Sequence, residues 1–500
     1  MAKKTKSEAG DDVRARTVLR ELKGKRRLRQ LSGAIHWLLM LTAFLLALLP
    51  GASEACLLLG CVLTVWRLRV DPERKFRRLP FDIPALIFAG FGLASIPGSP
   101  DPAFSFYNYY NLVCVYLLMY FFIGQNIRTL ADVKSLLVAL LLGSIGCLLY
   151  GFYQFAFGIE TSDMKWVDGN AFPELKKRIF STWENPNIFA GYLDVALSLA
   201  LGFFVKMRAR GQRILLGLFM LALAACLALT YARGACLTIA IVFLLYGVLK
   251  DWRVLVGCIV VGGAILLFDQ TLLERLLSVF TKMDTSSEMR LAFWESTLAM
   301  IEDHPFLGIG WGAYYLVYPL YDFYMQGAAG TTITIVHAHN MYLNYAAEIG
   351  ILGALAFCWF FFGTLVTALR TRFLSQEELE QQAAAKREAL PTDLSADNAL
   401  DEELKQVHEG LKENAPQHWT WQDFRAEVST WDGQQLLSGL SLGIGLAFLS
   451  IALNGLTDDL LFNIPSSMLM WLLAALAGVL ALASREQEAA LGKGGKPDDK

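Results

Sequence analysis

Two histidines stand one residue apart in His337-Ala338-His339-Asn340, where a polar stretch meets a long apolar run. An imidazole takes up or releases a proton near neutral pH, so this pair suits general-base work. If 336–339 is extended, both rings face the same way; if a helix has begun, they diverge. The plain alternative is that one or both rings only cap or pack the helix entrance. A metal site would need a third ligand, and Glu348 lies more than two helical turns further on, so no metal is expected. Three arginines, Arg178, Arg233 and Arg290, also fall between apolar runs. A guanidinium offers a fork of donors matched to phosphate oxygens. Arg233 stands in TYARGAC, between two runs barely long enough to span a bilayer, where an arginine is costly. Simple anchoring of a hairpin is the alternative there. Arg290, Trp294 and Thr297 share one helical face. Arg290 is otherwise a solvated surface group, and so is Arg178, which adjoins Lys176 and Lys177. Together these residues suggest a pocket for a phosphate-bearing anion beside a proton acceptor. Glu184, Asp194, Asp458 and Asp459 either hold the arginines in place or are unrelated acidic groups. Gly308, Gly310 and Gly312 in FLGIGWGAY lack the strand–turn–helix setting of a nucleotide loop, and a close-packed turn is expected instead.

The elements that must position these groups are apolar helices. Hydrophobic residues make up 55% of the 500-residue chain, and charged residues 18%. Mean hydropathy is +0.42. The apolar runs show no period-2 alternation, so helices and not a barrel cross the lipid. Spans are predicted at about 32–49, 53–67, 82–97, 109–124, 134–157, 187–205, 214–230, 235–249, 254–268, 340–369, 435–453 and 464–483. Lys and Arg crowd every second connection: 23–29, 67–78, 128–134, 206–213 and 250–253. Those connections are expected in the cytoplasm, with both termini. The opposite connections, 158–186, 269–339 and 454–463, carry the candidate chemistry. The predicted organisation is a basic tail (1–30), spans 1–9 (31–268), a large non-cytoplasmic loop with amphipathic helices (269–339) and span 10 (340–369). A cytoplasmic loop (370–433), spans 11–12 (434–484) and a tail (485–500) follow. In that cytoplasmic loop Trp421, Phe424, Val428 and Trp431 line one face of an interfacial helix. Leu272, Leu273, Leu276, Leu277 and Phe280 form another amphipathic face. The first run starts near Leu31 with no cleavage site after Leu49, which reads as a retained span. All eight cysteines lie in apolar runs, as small packing residues and not disulfides or metal ligands.

At RIFSTWENPNIFAGYL (178–193), TYARGACL (230–237), Arg290-x3-Trp294 followed by HPFLGIGWGAY, HAHNMYLNYAAEIGILG (337–353) and GLTDDLLFNIPSSMLMWLLAAL (455–476), the chain resembles the O-antigen ligase and polymerase superfamily. The likeness runs from about the fifth span to the C-terminus. It implies an all-α integral membrane protein of about 12 helices with a non-cytoplasmic loop subdomain, glycosyltransferase-C-like. It implies a bacterial inner-membrane enzyme that moves a glycan from a polyprenyl diphosphate carrier to an acceptor hydroxyl or amine, with its active site periplasmic. By the same likeness Arg233 and Arg290 grip the diphosphate, Arg178 precedes the Asn-Pro-Asn motif, and His339, or else His337, assists the acceptor. Trp294, Asn340, Glu348 and Asn187 support them. The donor is a lipid-linked glycan and the acceptor a glycan or lipid-linked group, within membrane lipids. No cofactor, metal or nucleic acid is expected.

Such chemistry is coherent with the residues. A diphosphate leaving group needs charge stabilisation more than it needs a covalent nucleophile. The leading expectation is a ligase acting on lipid A-core or a similar acceptor. A repeat-unit polymerase comes next, then a protein-glycosylating transferase. A secondary transporter fits less well, because the ionisable groups cluster at one face and not at the midplane. A non-catalytic envelope scaffold comes last. The 271–283 helix and the hairpin of spans 7 and 8 are placed to flank a lipid-side entrance for an isoprenoid chain.

Overall fold

The computed structural model describes residues 6–158, 178–268, 270–281, 285–322, 335–374 and 431–490. The interfacial helix predicted at 421–431 lies outside them, apart from Trp431. The chain runs through α1 (Lys6–Leu45), α2 (Pro50–Val70), α3 (Asp82–Ser95), α4 (Pro102–Asn111), a π-helical turn (Leu112–Leu117), α5 (Leu118–Asn126) and α6 (Leu130–Phe157). Next come α7 (Pro186–Lys206), α8 (Arg210–Thr230), α9 (Arg233–Leu249), α10 (Trp252–Phe268), α11 (Gln270–Thr281), α12 (Thr285–Asp303) and α13 (Tyr314–Val317). The last are α14 (Met341–Arg370), α15 (Gly433–Asn454) and α16 (Ile464–Ala490).

Among the described residues nine helical stretches are long and apolar enough to cross a bilayer, and Pro102–Asn126 counts as one of them. Shorter apolar helices occupy Asp82–Gly98, Arg233–Leu249 and Trp252–Leu267. The protein is therefore a multi-pass helical membrane protein. Two predicted boundaries move. The helix of α1 continues back through the basic segment to Lys6. The fourth run starts at Pro102, inside the segment expected to be a loop, because Asp101 caps it by accepting from Phe104 N–H and proline suits the first helical position.

The axis of the bundle is the pair α7 and α15. Gly202 on α7 faces Gly439 and Gly443 on α15, and a Cβ at Gly202 would lie 2.4 Å from the Gly439 carbonyl oxygen. Small residues let helix backbones touch where lipid supplies no hydrophobic drive to associate. Beside them α16 seats Trp471, which is 1% exposed and stacks on Phe360 of α14 at 4.3 Å. At one end of the bundle Arg77 donates to the Gly124 carbonyl through Nε (2.9 Å), and Lys134 donates to the Trp431 carbonyl at 3.0 Å. The candidate residues gather at the other end.

One feature there is absent from the sequence reading. α14 is broken at Gly350, whose φ of 75° only glycine adopts freely. The break frees backbone groups, and the Gly308–Gly312 turn satisfies them. Ile309 N–H donates to the Ala347 carbonyl at 2.8 Å and Gly310 N–H to the Glu348 carbonyl at 3.0 Å; Ile351 N–H donates to the Pro305 carbonyl at 2.9 Å. Gly308, Gly310 and Gly312 all have positive φ, the close-packed turn expected of them. A Cβ at Gly350 would sit 2.1 Å from the Phe306 carbonyl oxygen. Gly350→Ala is therefore expected to cost about 1–3 kcal/mol from this positive-φ, extended-ψ backbone alone, before any clash. A lower thermal midpoint and lower yield in detergent would show it, and an unchanged midpoint would refute it.

Candidate functional site

The histidine turn is locked between two helix ends. Asn340 caps α14: its side-chain oxygen accepts from Tyr342 N–H (3.0 Å) and Leu343 N–H (3.1 Å). Its amide donates to the Leu456 carbonyl at 3.1 Å, and Met341 N–H donates to the Gly455 carbonyl at 2.8 Å. Ala338 is fully buried and its N–H donates to Asn344 Oδ1. The turn is thus stitched to the 455–459 segment that follows α15. His339 takes a left-handed φ of 48°, a conformation uncommon outside glycine that recurs at functional sites.

These ties set both rings. His339 Nδ1 lies 3.1 Å from Asp458 Oδ1, with the two side chains 33% and 16% exposed. The His337 and His339 rings are 4.2 Å apart at their centroids. Phe293 of α12 lies parallel to His339 at 5.8 Å, and Phe462 lies 4.9 Å from His337. His337 Nδ1 accepts from His339 N–H at 3.1 Å. The turn is therefore neither fully extended nor helical, and the rings sit side by side.

The electrostatics follow from this crowding. Burial, aided by His339 and Arg290, pulls the His337 imidazole down to about 4 against the pull of Asp458. Burial pushes the Asp458 carboxyl up. The His339 hydrogen bond and the charges of His339, His337 and Arg290 outweigh it, and hold Asp458 well below the usual carboxylate range. Neighbouring Asp459 goes the other way. Burial and the Asp458 charge push it up to about 7, although it accepts from the N–H groups of Leu461 and Phe462.

The arginines converge on this end. Arg290 is one turn before Phe293 on α12, close enough for its charge to act on both His337 and Asp458. Arg233 opens α9, two residues after the left-handed Tyr231 that ends α8. A Cβ on the next residue, Gly234, would lie 3.7 Å from Thr457 Oγ1, one residue from Asp458. Arg178 is buried, and its guanidinium is committed to protein. Nε donates to the Thr230 carbonyl and Nη2 to Asn187 Oδ1, both at 2.7 Å. It braces the turn that presents Arg233, and Gln154 in turn fixes the Arg178 segment by accepting from Ser181 N–H at 2.7 Å.

The supporting residues divide. Asn340 holds the start of α14, as described; Asn187, whose own N–H donates to the capping Asn185 Oδ1 at 2.8 Å, uses its side chain to accept from Arg178. Glu348 Oε2 accepts from Gly312 N–H at 3.0 Å and belongs to the clasp around the α14 break. Trp294 Nε1 is buried without a hydrogen-bond partner among the described residues. Thr297 is fully buried and bonded at 2.8 Å to the Tyr314 hydroxyl, which anchors this face of α12. Asp458 was legible only as a counter-charge for arginine; its partner is His339. The signal available was an acidic pair in a connection on the histidine side. No local pattern joins residues 119 positions apart.

Beside this end an apolar groove of about 550 Å³ runs between α7, α8, α9, α10 and α11. Leu227 and Ala228 line it just before the Arg233 turn, and Leu272 and Leu276 of the amphipathic α11 line it too.

Comparison with curated proteins finds no match. Comparison with protein families finds one: residues 190–358 match the family described as O-antigen ligase. The matched stretch contains Arg233, Arg290, both histidines and Glu348, and it stops short of Asp458. Such enzymes are glycosyltransferase-like and act on lipid-linked glycans, as ligases or polymerases. Over this stretch the chain is similar to the O-antigen ligase family, which supports the resemblance to the O-antigen ligase and polymerase superfamily.

Proposed function

We propose that the protein transfers a polysaccharide from a polyprenyl diphosphate carrier to an acceptor such as lipid A-core, at the periplasmic face of the bacterial inner membrane. The observation that carries this reading is the His339–Asp458 pair beside Arg290, at the end of the bundle that also holds the Arg233 turn. The opposite end holds Arg77, Arg128 and Lys134, and by the positive-inside rule that end faces the cytoplasm, with both termini and the 370–433 segment. The sixteen helices of the described residues then resolve into about 12 spans, with the 269–339 segment outside.

In the proposed mechanism His339 keeps its Nδ1 proton on Asp458 and presents Nε2 as a bare base. Nε2 takes the proton of the acceptor hydroxyl as that oxygen attacks the anomeric carbon. The anomeric carbon–oxygen bond to the diphosphate breaks on the opposite side, so configuration inverts. The electron pair leaves with the diphosphate, and Arg290 and Arg233 bind it more tightly as its charge grows. Asp458 offsets the charge of the imidazolium. The scheme needs no metal. The groove along α8–α10 is suited to the isoprenoid chain, because its end reaches the Arg233 turn.

The deciding experiment supplies reconstituted protein with a polyprenyl diphosphate glycan and candidate acceptors. A new glycan–acceptor conjugate is expected. A lengthened lipid-linked product would make the enzyme a polymerase, and no product with any acceptor, protein included, would overturn the reading.

A further inference from the structure

His337 has no part in that mechanism, yet it stands against the one ring that does. The sequence offers no third metal ligand beside the two histidines, and the fold supplies one from another element. The ligand atoms of His337, His339 and Asp458 all lie within 4.8 Å of one another, and each residue is only partly buried. The geometry points to a site for a divalent transition-metal ion of the zinc class, held by these three residues, whose occupancy switches the base off. The switching half of this inference rests on the function proposed above; the binding half does not.

Three features argue for it. The 3.1 Å between His339 Nδ1 and Asp458 Oδ1 is close to the spacing of two ligands on one zinc ion, given bonds of about 2.0–2.2 Å. An ion can therefore replace the proton that these atoms share without separating them. Two imidazoles and a carboxylate are a donor set that zinc prefers over magnesium or calcium, and three protein ligands leave a position for water. The turn is also rigid: Ala338 and Asn340 are pinned to Asn344 and Leu456, so His337 reaches the ion by ring rotation. If that rotation uses Nδ1, it gives up one neutral hydrogen bond from His339 N–H. Arg290 opposes a cation here, and its charge sets an upper limit on affinity.

The consequence for the base is specific. Imidazole bound through Nδ1 keeps its proton on Nε2, the nitrogen that must be bare to accept one from the acceptor hydroxyl. Zinc thus leaves the ring in place and takes away its basicity.

The test uses tag-free, chelator-treated full-length protein in detergent, titrated with zinc alone by calorimetry. One ion per chain is expected, with His337→Ala and Asp458→Asn each weakening binding by about tenfold or more, as loss of one of three ligands implies. His304→Ala serves as the control for other histidines and should leave binding unchanged. Arg290→Gln should tighten binding severalfold, an effect that a merely damaged fold does not produce. X-ray absorption of the zinc complex should show mixed nitrogen and oxygen ligation. Binding insensitive to both ligand substitutions, or a sulfur-ligated ion, would overturn the site. Glycan transfer measured with and without zinc, then after chelator, tests the switch. Transfer undiminished at saturating zinc would overturn that half while leaving the site, and absence of any transfer counts against the proposed function alone.

Discussion

Replacing His339 with alanine is expected to lower glycan transfer by about 10²–10⁴-fold, the usual worth of a positioned general base. The fold should tolerate the change. The ring is one-third exposed, and the ties that hold its turn run through the backbone and through Ala338, Asn340 and Asn344. Abundance in membranes and the thermal midpoint should therefore stay close to those of the native protein. The matching substitution is Asp458→Asn. Its amide still hydrogen-bonds to Nδ1 but carries no charge to offset the imidazolium. It can also turn its NH₂ to the ring and trap the wrong tautomer. A loss of at least about tenfold is expected, and the double variant should be no worse than His339→Ala alone, as for residues that act as a unit. Initial rates with a reconstituted donor and acceptor decide this. Native rates for His339→Ala would remove the base from the mechanism, and additive losses would separate Asp458 from it.

Arg290→Ala and Arg233→Ala are each expected to lower transfer by about 10²–10³-fold, as for removal of a donor aimed at developing charge. The loss should fall on kcat more than on KM, because the diphosphate gains charge as its bond to the sugar breaks. Lysine restores the charge but not the planar fork, so Arg290→Lys should recover only part of the rate. Arg178 makes a contrast. Its guanidinium is occupied by the Thr230 carbonyl and Asn187, so Arg178→Ala should lower thermal stability together with rate. If the Arg233 and Arg290 variants raised KM alone, the arginines would serve donor binding and not the chemical step.

What the sequence made legible was whatever depends on local pattern. The apolar runs gave the helices, since hydropathy over one run is a local property. The histidine turn and the arginines stood out because ionisable groups are rare beside apolar runs. The glycine turn was legible as a tight turn from three glycines at alternate positions. Three things were not legible, each for the same physical reason. The break at Gly350 hides inside an unbroken apolar run, because its missing hydrogen bonds are supplied by residues 305–310. The Asp458 partnership depends on the start of α14 lying beside the end of α15. The occupation of Arg178 depends on where α8 stops. All three are settled by packing between elements distant in the chain, which leaves no spacing to read.

The shortness of α9 and α10 has a consequence for the membrane itself. Each has 17 residues, about 25 Å of helix at 1.5 Å per residue, against a hydrocarbon core of about 30 Å. Such a mismatch is met by thinning of the adjoining leaflets. The bilayer should pinch along this flank, drawing the headgroup plane down toward Arg233. A lipid carrier diffusing past would then bring its diphosphate to the arginine by sliding sideways at constant depth, and would not have to be lifted out of the leaflet.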